Sequence, residues 1–305
     1  MTNELYRSEY YGKGGIFAKV VKDSVSPDLI RLTTLELKYP RFIHSEFMTH
    51  RVFSRNASSS RAIPVKRILG SIETQPAMPI HWGKNRPGMQ AREEHDWHIG
   101  GELSREVAWT SAAREASSWA RMFDQSQYHK QIVNRLTEPF QFIHVVVTAT
   151  EWDNFFNLRL HEDAQPEIHE LARCMFEAME ESTPTLLHPG EWHLPYWTEE
   201  YDLRECTTLT PIKASIARCA RVSYKNHDNS TPDIIKDMEL ADRLLKAGHM
   251  SPFEHQATPM KYSRIMSSPN EHLLWDKGIT HKDINNNLWS SNFRGWIQYR
   301  NLDLL

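Results

Sequence analysis

From Phe47 to Ile72 the chain carries Arg51, Arg55, Arg61, Lys66 and Arg67 and not one carboxylate. Ser54, Asn56, Ser58, Ser59 and Ser60 are interleaved with these cations. Arginine presents a planar fork of N–H donors to a phosphate, and hydroxyls or backbone N–H groups complete such a cradle. A solvated basic face is the plain alternative. Such faces are more often mixtures of Lys and Glu, whereas this one is Arg, Ser and Asn around Phe53. The segment therefore reads as an anion site. No aromatic side chains are interleaved as stacking platforms, which argues against a nucleic-acid strand as the anion.

Other chemistry-bearing residues are more scattered. Arg159 sits in the apolar run FFNLRL, where a guanidinium must find anionic or carbonyl partners, because an unpaired buried charge is costly. Spacing alone favours an internal ion pair with Asp163 or Glu167 over a ligand-facing role. Glu254, in GHMSPFEH, follows a helix end and a Ser-Pro turn, a place for a cap or for a ligand-facing carboxylate. Sixteen histidines invite a metal reading. His161, His169, His188 and His193 form no His-Glu-x-x-His pattern, and His95 and His98 lack a third ligand, so no metal is expected. Cys174, Cys206 and Cys219 are odd in number and scattered, which fits neither a disulfide framework nor a zinc cage.

Composition narrows the class. The 305 residues carry a formal charge of −3, with 40% hydrophobic and 25% charged side chains, the profile of a folded chain of one or two domains. A near-neutral balance supplies no global field for nucleic acid. No apolar run reaches the ~18 residues of a membrane span, and the N-terminus has no secretory pattern, so a cytoplasmic protein is expected.

The elements that position these residues follow from periodicity. IRLTTLELKY, residues 30–39, alternates as a half-buried strand, and FIHSEFMTHR reads as a helix feeding into the basic segment. Residues 77–100, with several Pro, Gly and Trp, read as a loop or lid. SREVAWTSAAREASSWARMF is a long helix, HKQIVNRL a second helical piece, and FIHVVVTAT a strand. A helix begins near Pro166 with Ile168, Leu171, Ala172, Met175, Phe176 and Met179 as its apolar stripe. Residues 182–211 lack a long period and read as a linker. A last helix has Thr231 as N-cap, Pro232 at its first position, Ile234, Met238, Ala241 and Leu245 as its buried stripe, and Gly248 past its end. Strands and helices thus alternate as α/β or α+β, a mixed sheet flanked by long helices. The expected division is a core over 1–211 and a second part over 212–305.

THRVFSRNASSSR resembles the signature of the flavin-dependent thymidylate synthases, the thymidylate-synthase-complementing proteins: His50 and Arg51, seven residues, then Ser59. FFNLRLHEDAQPEI resembles the family's Asn-Leu-Arg block, and ARVSY with GHMSPFEH its flavin-contacting block. With NFRGWIQYR near the end, the islands touch about half the chain. The resemblance implies methylation of dUMP to dTMP, with the methylene from methylenetetrahydrofolate and reducing equivalents from NADPH through FAD, and no cysteine nucleophile. It makes Arg159 the arginine that lies against the uracil ring and stabilises negative charge there. It assigns His50, Arg51, Asn154, Ser251 and Glu254 to the flavin, and Ser59, Ser60, Arg61 and, more loosely, Arg135 to dUMP. It also implies a homo-oligomer, a tetramer, whose site lies within one chain or between chains.

The chain departs from the pattern in four residues and in order. Thr49 replaces the first Arg of the signature and Ala57 a Glu, while Thr148 and Thr150 stand where the family tends to carry Asn and Arg. The ARVSY and GHMSPFEH block precedes the signature in ordinary members but follows it here. ATPMKY…NFRGWIQYR also resembles TTLELKYPRFIHSEFMTHR, as a permuted or partly duplicated member would. The alternatives are a variant that transfers another one-carbon unit to a deoxyuridine nucleotide, and a nucleotide-binding protein without catalysis.

Overall fold

A computed structural model of the chain describes residues 9–198, 209–224, 233–268 and 270–302. Its elements in order are Glu9–Tyr11 (β1), Phe17–Val25 (β2), Arg31–Pro40 (β3), His44–Met48 (α1), Ser54–Ala57 (β4), Val65–Thr74 (α2), Arg105–Gln125 (α3) and Lys130–Val133 (α4). Phe142–Ala149 (β5), Asp153–Arg159 (α5), Pro166–Glu180 (α6), Thr185–Leu186 (β6), Leu209–Ala220 (α7) and Ile234–Lys246 (α8) follow. The last are short strands, Ala257–Pro259 (β7), His281–Lys282 (β8), Leu288–Ser290 (β9), Phe293–Arg294 (β10) and Trp296–Gln298 (β11). The result is a mixed α/β fold. Among the described residues no helix is long and apolar enough to cross a membrane.

The main sheet runs β1-β2-β3-β5-β4, antiparallel throughout, with β6 added parallel to β2. Alternation gives it two unlike faces. Leu35, Leu37 and Tyr39 of β3 and Ile143, Val145 and Val147 of β5 point to one side, into the main core with α5 and α6. There α6 buries Ile168, Leu171, Ala172, Met175 and Met179, and its Pro166 stands in the first turn behind the cap Gln165. Phe176 departs from the expected stripe: it is exposed, edge-on to Phe156 at 5.3 Å.

The other face is equally buried but mixed, with apolar Leu32 and Val146 beside buried hydroxyls. Thr34 and Thr148 stand opposite each other in the register, and their hydroxyls meet at 2.7 Å. A bulge between Val20 and Lys22 shifts β2 by one residue, so Ser24 turns to this side although Ala18 and Val20 face the core. Onto this face the C-terminal half docks through two histidines. His193 spans Ser24 (2.9 Å) and Thr34 (2.8 Å), and His255 Nδ1 meets Thr148 at 2.8 Å. All five side chains are buried.

Residues 182–211 are therefore no free linker where the structure describes them. Leu187 N–H donates to Val25, His193 bridges to Ala257, and Leu194 joins the core of α7 and α8. Single anchors hold this stretch, so it shows no period. In α8 the cap is Asp233, whose carboxylate accepts from Ile235 and Lys236; Thr231 and Pro232 lie outside the described residues. Its most buried side chains are Ala241 and Asp237, while Ile234, Met238 and Leu245 are half-buried. Asp237 is paired with Arg218 at 3.0 Å and with Arg221, a buried polar anchor that an apolar-stripe reading passes over. The two segments that resemble each other build different elements. ATPMKY…NFRGWIQYR supplies the short β7–β11 pair, whereas TTLELKYPRFIHSEFMTHR supplies most of β3 and α1.

Burial holds both docking histidines neutral. His255 is pushed down to about 3, and His193 falls well below the usual range, with Lys22 and His255 adding to the effect. Unfolded, each titrates near 6.5. The unfolded chain thus binds more protons between these values, so this stability is complete above about pH 6.5 and is lost as pH falls towards about 3. Thr148→Val, which severs the relay between Thr34 and His255, is expected to cost about 1–3 kcal/mol at neutral pH. Urea unfolding at pH 7 and pH 5 checks both effects. Unchanged stability of the variant and a flat acid limb would show that the relay holds nothing.

Candidate active site

The basic segment leaves α1, forms β4 beside β5, and continues into a loop that leads to α2. His50 is buried among aromatic rings, edge-on to Phe155 at 4.9 Å and stacked on Phe53 at 5.9 Å. Arg55 donates to the carbonyls of Met48 (3.1 Å) and His50 (3.0 Å), which pins the turn that presents the imidazole.

Arg159, the last residue of α5, donates from Nε to His50 Nε2 at 2.9 Å and from Nη2 to Thr49 Oγ1 at 3.4 Å. The expected ion pair is absent. Asp163 is taken by Arg92, and Glu167 accepts the Ile80 N–H at 2.7 Å. As the last residue of α5, Arg159 points towards the end of α1 instead. Its positive charge therefore rests against neutral acceptors, with no carboxylate neutralising it among the described contacts. Thr49, read as a loss from the signature, supplies one of those acceptors; an arginine there would set like charge against Arg159. Since Nε2 accepts, the imidazole proton lies on Nδ1. Burial, with Arg159 and Arg55 nearby, pushes His50 down to about 4.

The loop after β4 divides. Ser59 and Arg61 are exposed, and Arg51 likewise. None of these three side chains has a hydrogen bond or ion pair among the described residues. Ser60 is buried and donates to Glu138 Oε1 at 3.3 Å. Arg135, exposed, pairs with the same oxygen at 3.5 Å, and Arg41 with it at 3.4 Å. Ser59, Ser60, Arg61 and Arg135 thus lie on elements that Glu138 and the Asn134 amide tie together, the latter donating to Ser60 O at 2.7 Å.

GHMSPFEH lies against β4 in the same chain, across nearly two hundred residues. Gln298 Nε2 bridges Ser54 Oγ (3.1 Å) and the Glu254 carbonyl (2.9 Å), and Asn292 donates to Val52 O at 2.8 Å. Ser251 is exposed, and the Glu254 carboxylate is paired with Arg300. Asn154, exposed on α5, makes no contact with the His50–Arg159 pair among the described hydrogen bonds. Thr148 serves the buried relay, and Thr150 accepts the Arg294 N–H at 3.1 Å. Ala57 is half-buried in β4.

Neither described cysteine has its thiol in this arrangement. The Cys174 thiol is buried in the core and pushed up to about 11, and burial also raises that of Cys219; Cys206 lies outside the described residues. Among the described residues no three of His, Cys, Asp or Glu are placed to hold a metal ion. In the sequence Arg55 reads only as one cation of the basic segment, and Arg41, Glu138 and Arg300 are given no role. Arg41 and Arg300 lie in segments quoted for the resemblance, but their partners lie elsewhere in the chain and leave no local signal.

A family model described as "Thymidylate synthase complementing protein" matches residues 31–185, from β3 to the start of β6. The chain belongs to the thymidylate synthase complementing protein family. No curated protein matches it. Two solved structures are similar at low identity. One is a UMP/dUMP methylase PolB from Streptomyces cacaoi bound with 5-Br UMP, 17% identical over 55% of this chain and 90% of that one, TM-score 0.41. The other is described as the same methylase with 5-Br dUMP, 18% identical over 50% and 66%, TM-score 0.37.

The bond from Arg159 fixes an expected titration. His50 should show a midpoint near 4 and the Nδ1–H tautomer by NMR, with the bond to Arg159 complete at neutral pH and lost as pH falls towards 4. An ordinary midpoint near 6.5 would show that Arg159 is not held there.

Proposed function

We propose that the protein methylates dUMP to dTMP, using methylenetetrahydrofolate and NADPH with FAD as cofactor. The observation that carries this reading is Arg159: a half-buried guanidinium held by a neutral imidazole and a hydroxyl, its charge left for an anionic partner. Negative charge that develops on a pyrimidine is such a partner, and a preorganised cation in a site that excludes water stabilises it strongly. Family membership over residues 31–185 supports the reaction class.

Roles for the surrounding residues follow from what each can donate. Ser59, Ser60, Arg61 and Arg135 hold the nucleotide phosphate. His50 and Arg55 keep Arg159 and its turn in place. For FAD, exposed Arg51 has no carboxylate partner among the described residues and suits a pyrophosphate, exposed Ser251 offers a hydroxyl, and the half-buried Glu254 carboxylate would exchange Arg300 for sugar or adenosine hydroxyls. Asn154 is the loosest of this set. When bound, the flavin supplies the reducing equivalents, and the thiols take no part. A tetramer, with residues from a second copy completing the site, and a cytoplasmic location belong to the same reading.

The purified protein should be yellow or bind added FAD, bleach with NADPH, and convert dUMP to dTMP when methylenetetrahydrofolate is supplied. Arg159→Ala should lower turnover by roughly 10²–10³ with FAD binding nearly intact. Arg159→Lys should rescue poorly, because a point charge does not replace the fork. Lost stability with chemistry intact would make Arg159 scaffolding. A colourless protein without FAD binding would leave only nucleotide binding, and another C5 product would mark a different one-carbon transfer.

A further inference from the structure

We propose that Glu138 is a specificity residue of the nucleotide anchor: an internal anion that occupies the phosphate-binding donors until a phosphorylated ligand displaces it. This rests on the reading that Ser59, Ser60, Arg61 and Arg135 hold a nucleotide phosphate.

One carboxylate oxygen carries the inference. Glu138 Oε1 lies 3.3 Å from Ser60 Oγ, 3.4 Å from Arg41 Nε and 3.5 Å from Arg135 Nη1. The donors come from three places: the loop after β4, the turn after β3, and the 3-10 turn between α4 and β5. Such convergence of a hydroxyl and two guanidinium groups on one oxygen is the donor set that a phosphate oxygen takes. From residue 47 to residue 72 the sequence supplies no acid, and the fold brings this one in from outside the run.

The contacts are also built to give way. Both ion pairs are near the long limit, and the Glu138 side chain is 29% exposed. Loose, partly solvated pairs of this kind contribute little each. A phosphate offers the same donors shorter, more highly charged bonds, and Arg61 and Ser59 stand free to add theirs. Once phosphate is bound, the carboxylate is a like charge beside it, and rotation into solvent relieves the repulsion. A nucleoside without phosphate has nothing with which to displace Glu138. The anchor thereby selects for the phosphoryl group.

Calorimetry on the full chain, with dUMP, inorganic phosphate and deoxyuridine as probes, tests this in wild type, Glu138→Gln and Glu138→Ala. Both variants should bind dUMP and phosphate roughly three- to tenfold tighter, with deoxyuridine unchanged. In turnover the nucleotide KM should fall by the same factor while kcat holds. Gln keeps the shape and an acceptor oxygen, so it separates charge from folding should the Ala variant melt early. Unchanged affinity would overturn the proposal and make Glu138 a tie between loops. Weaker binding, or a fall in kcat, would overturn it too, by making Glu138 a direct contact of the nucleotide. If neither dUMP nor phosphate binds any of the three proteins, the anchor reading falls and takes this inference with it. If dUMP binding depends on Arg61 and Arg135 but ignores Glu138→Gln, this inference alone falls.

Discussion

One face of the antiparallel sheet meets its neighbours through apolar packing, while the other adds directional hydrogen bonds to its apolar contacts, and this second face places the C-terminal half. Side chains at odd positions of β3 and β5 pack into an apolar core, a non-directional contact that tolerates sliding and repacking. Those at even positions meet the C-terminal half both ways: Leu32 packs with Ala257, Phe293 and Trp296 and Val146 with Cys219 and Val222, while Thr34, Thr148 and, turned over by the bulge, Ser24 join it through hydrogen bonds to buried His193 and His255. Hydrogen bonds are directional, and a buried group left unpaired is costly. A polar interface therefore admits one register where an apolar one would admit several. That register sets GHMSPFEH beside β4 and hence beside the basic segment.

Precision at this interface answers a problem of connectivity. The signature and the GHMSPFEH block are far apart in the chain, and short strands such as β7 and β11 offer little cooperative structure of their own. Gln298 and Asn292 solve it locally, by both reaching the Ser54 hydroxyl while Asn292 also holds the Val52 carbonyl and Gln298 the Glu254 carbonyl. Block order along the chain is then immaterial to the assembled surface. What matters is that both blocks approach the same edge strand, β4.

Periodic elements were legible in the sequence for this reason: they answer to an apolar core. Residues 30–39 and the helix at Pro166 showed their faces through alternation or a stripe, while the long helix from Arg105 and the strand from Phe142 were legible through composition. The polar interface left no such trace. His193 entered only as a histidine without metal spacing, His255 and Asp237 carried no signal, and 182–211 read as a linker, because a hydrogen-bonded anchor needs one residue and no repeat. The site divides the same way. His50, Arg51, Ser59, Arg61 and Arg159 stand in motifs with fixed spacing. The partner of Arg159 was misread from spacing, since helix geometry brings Asp163 near in sequence but directs the guanidinium across to α1. The contacts of Glu138 with Arg41 and Ser60, and of Arg300 with Glu254, were out of reach, because they join segments with no shared pattern.

Under the proposed function, charge is placed in this site with a consistent logic. Where an arginine is meant to keep its charge available, its neighbours are neutral: an imidazole and a hydroxyl for Arg159, open solvent for Arg51 and Arg61. The imidazole stays neutral because it is buried between rings and faces two cations, so the same arginines that need a neutral acceptor also keep it so. A carboxylate at His50 would hold Arg159 more tightly and cancel the charge that makes it useful. Arg135 and Arg41 are treated differently, sharing one loosely held carboxylate oxygen with Ser60. Binding a mobile phosphate calls for donors kept in place but weakly engaged, whereas charge developing in a transition state calls for a cation already free. The first arrangement needs a displaceable anion, and the second needs none.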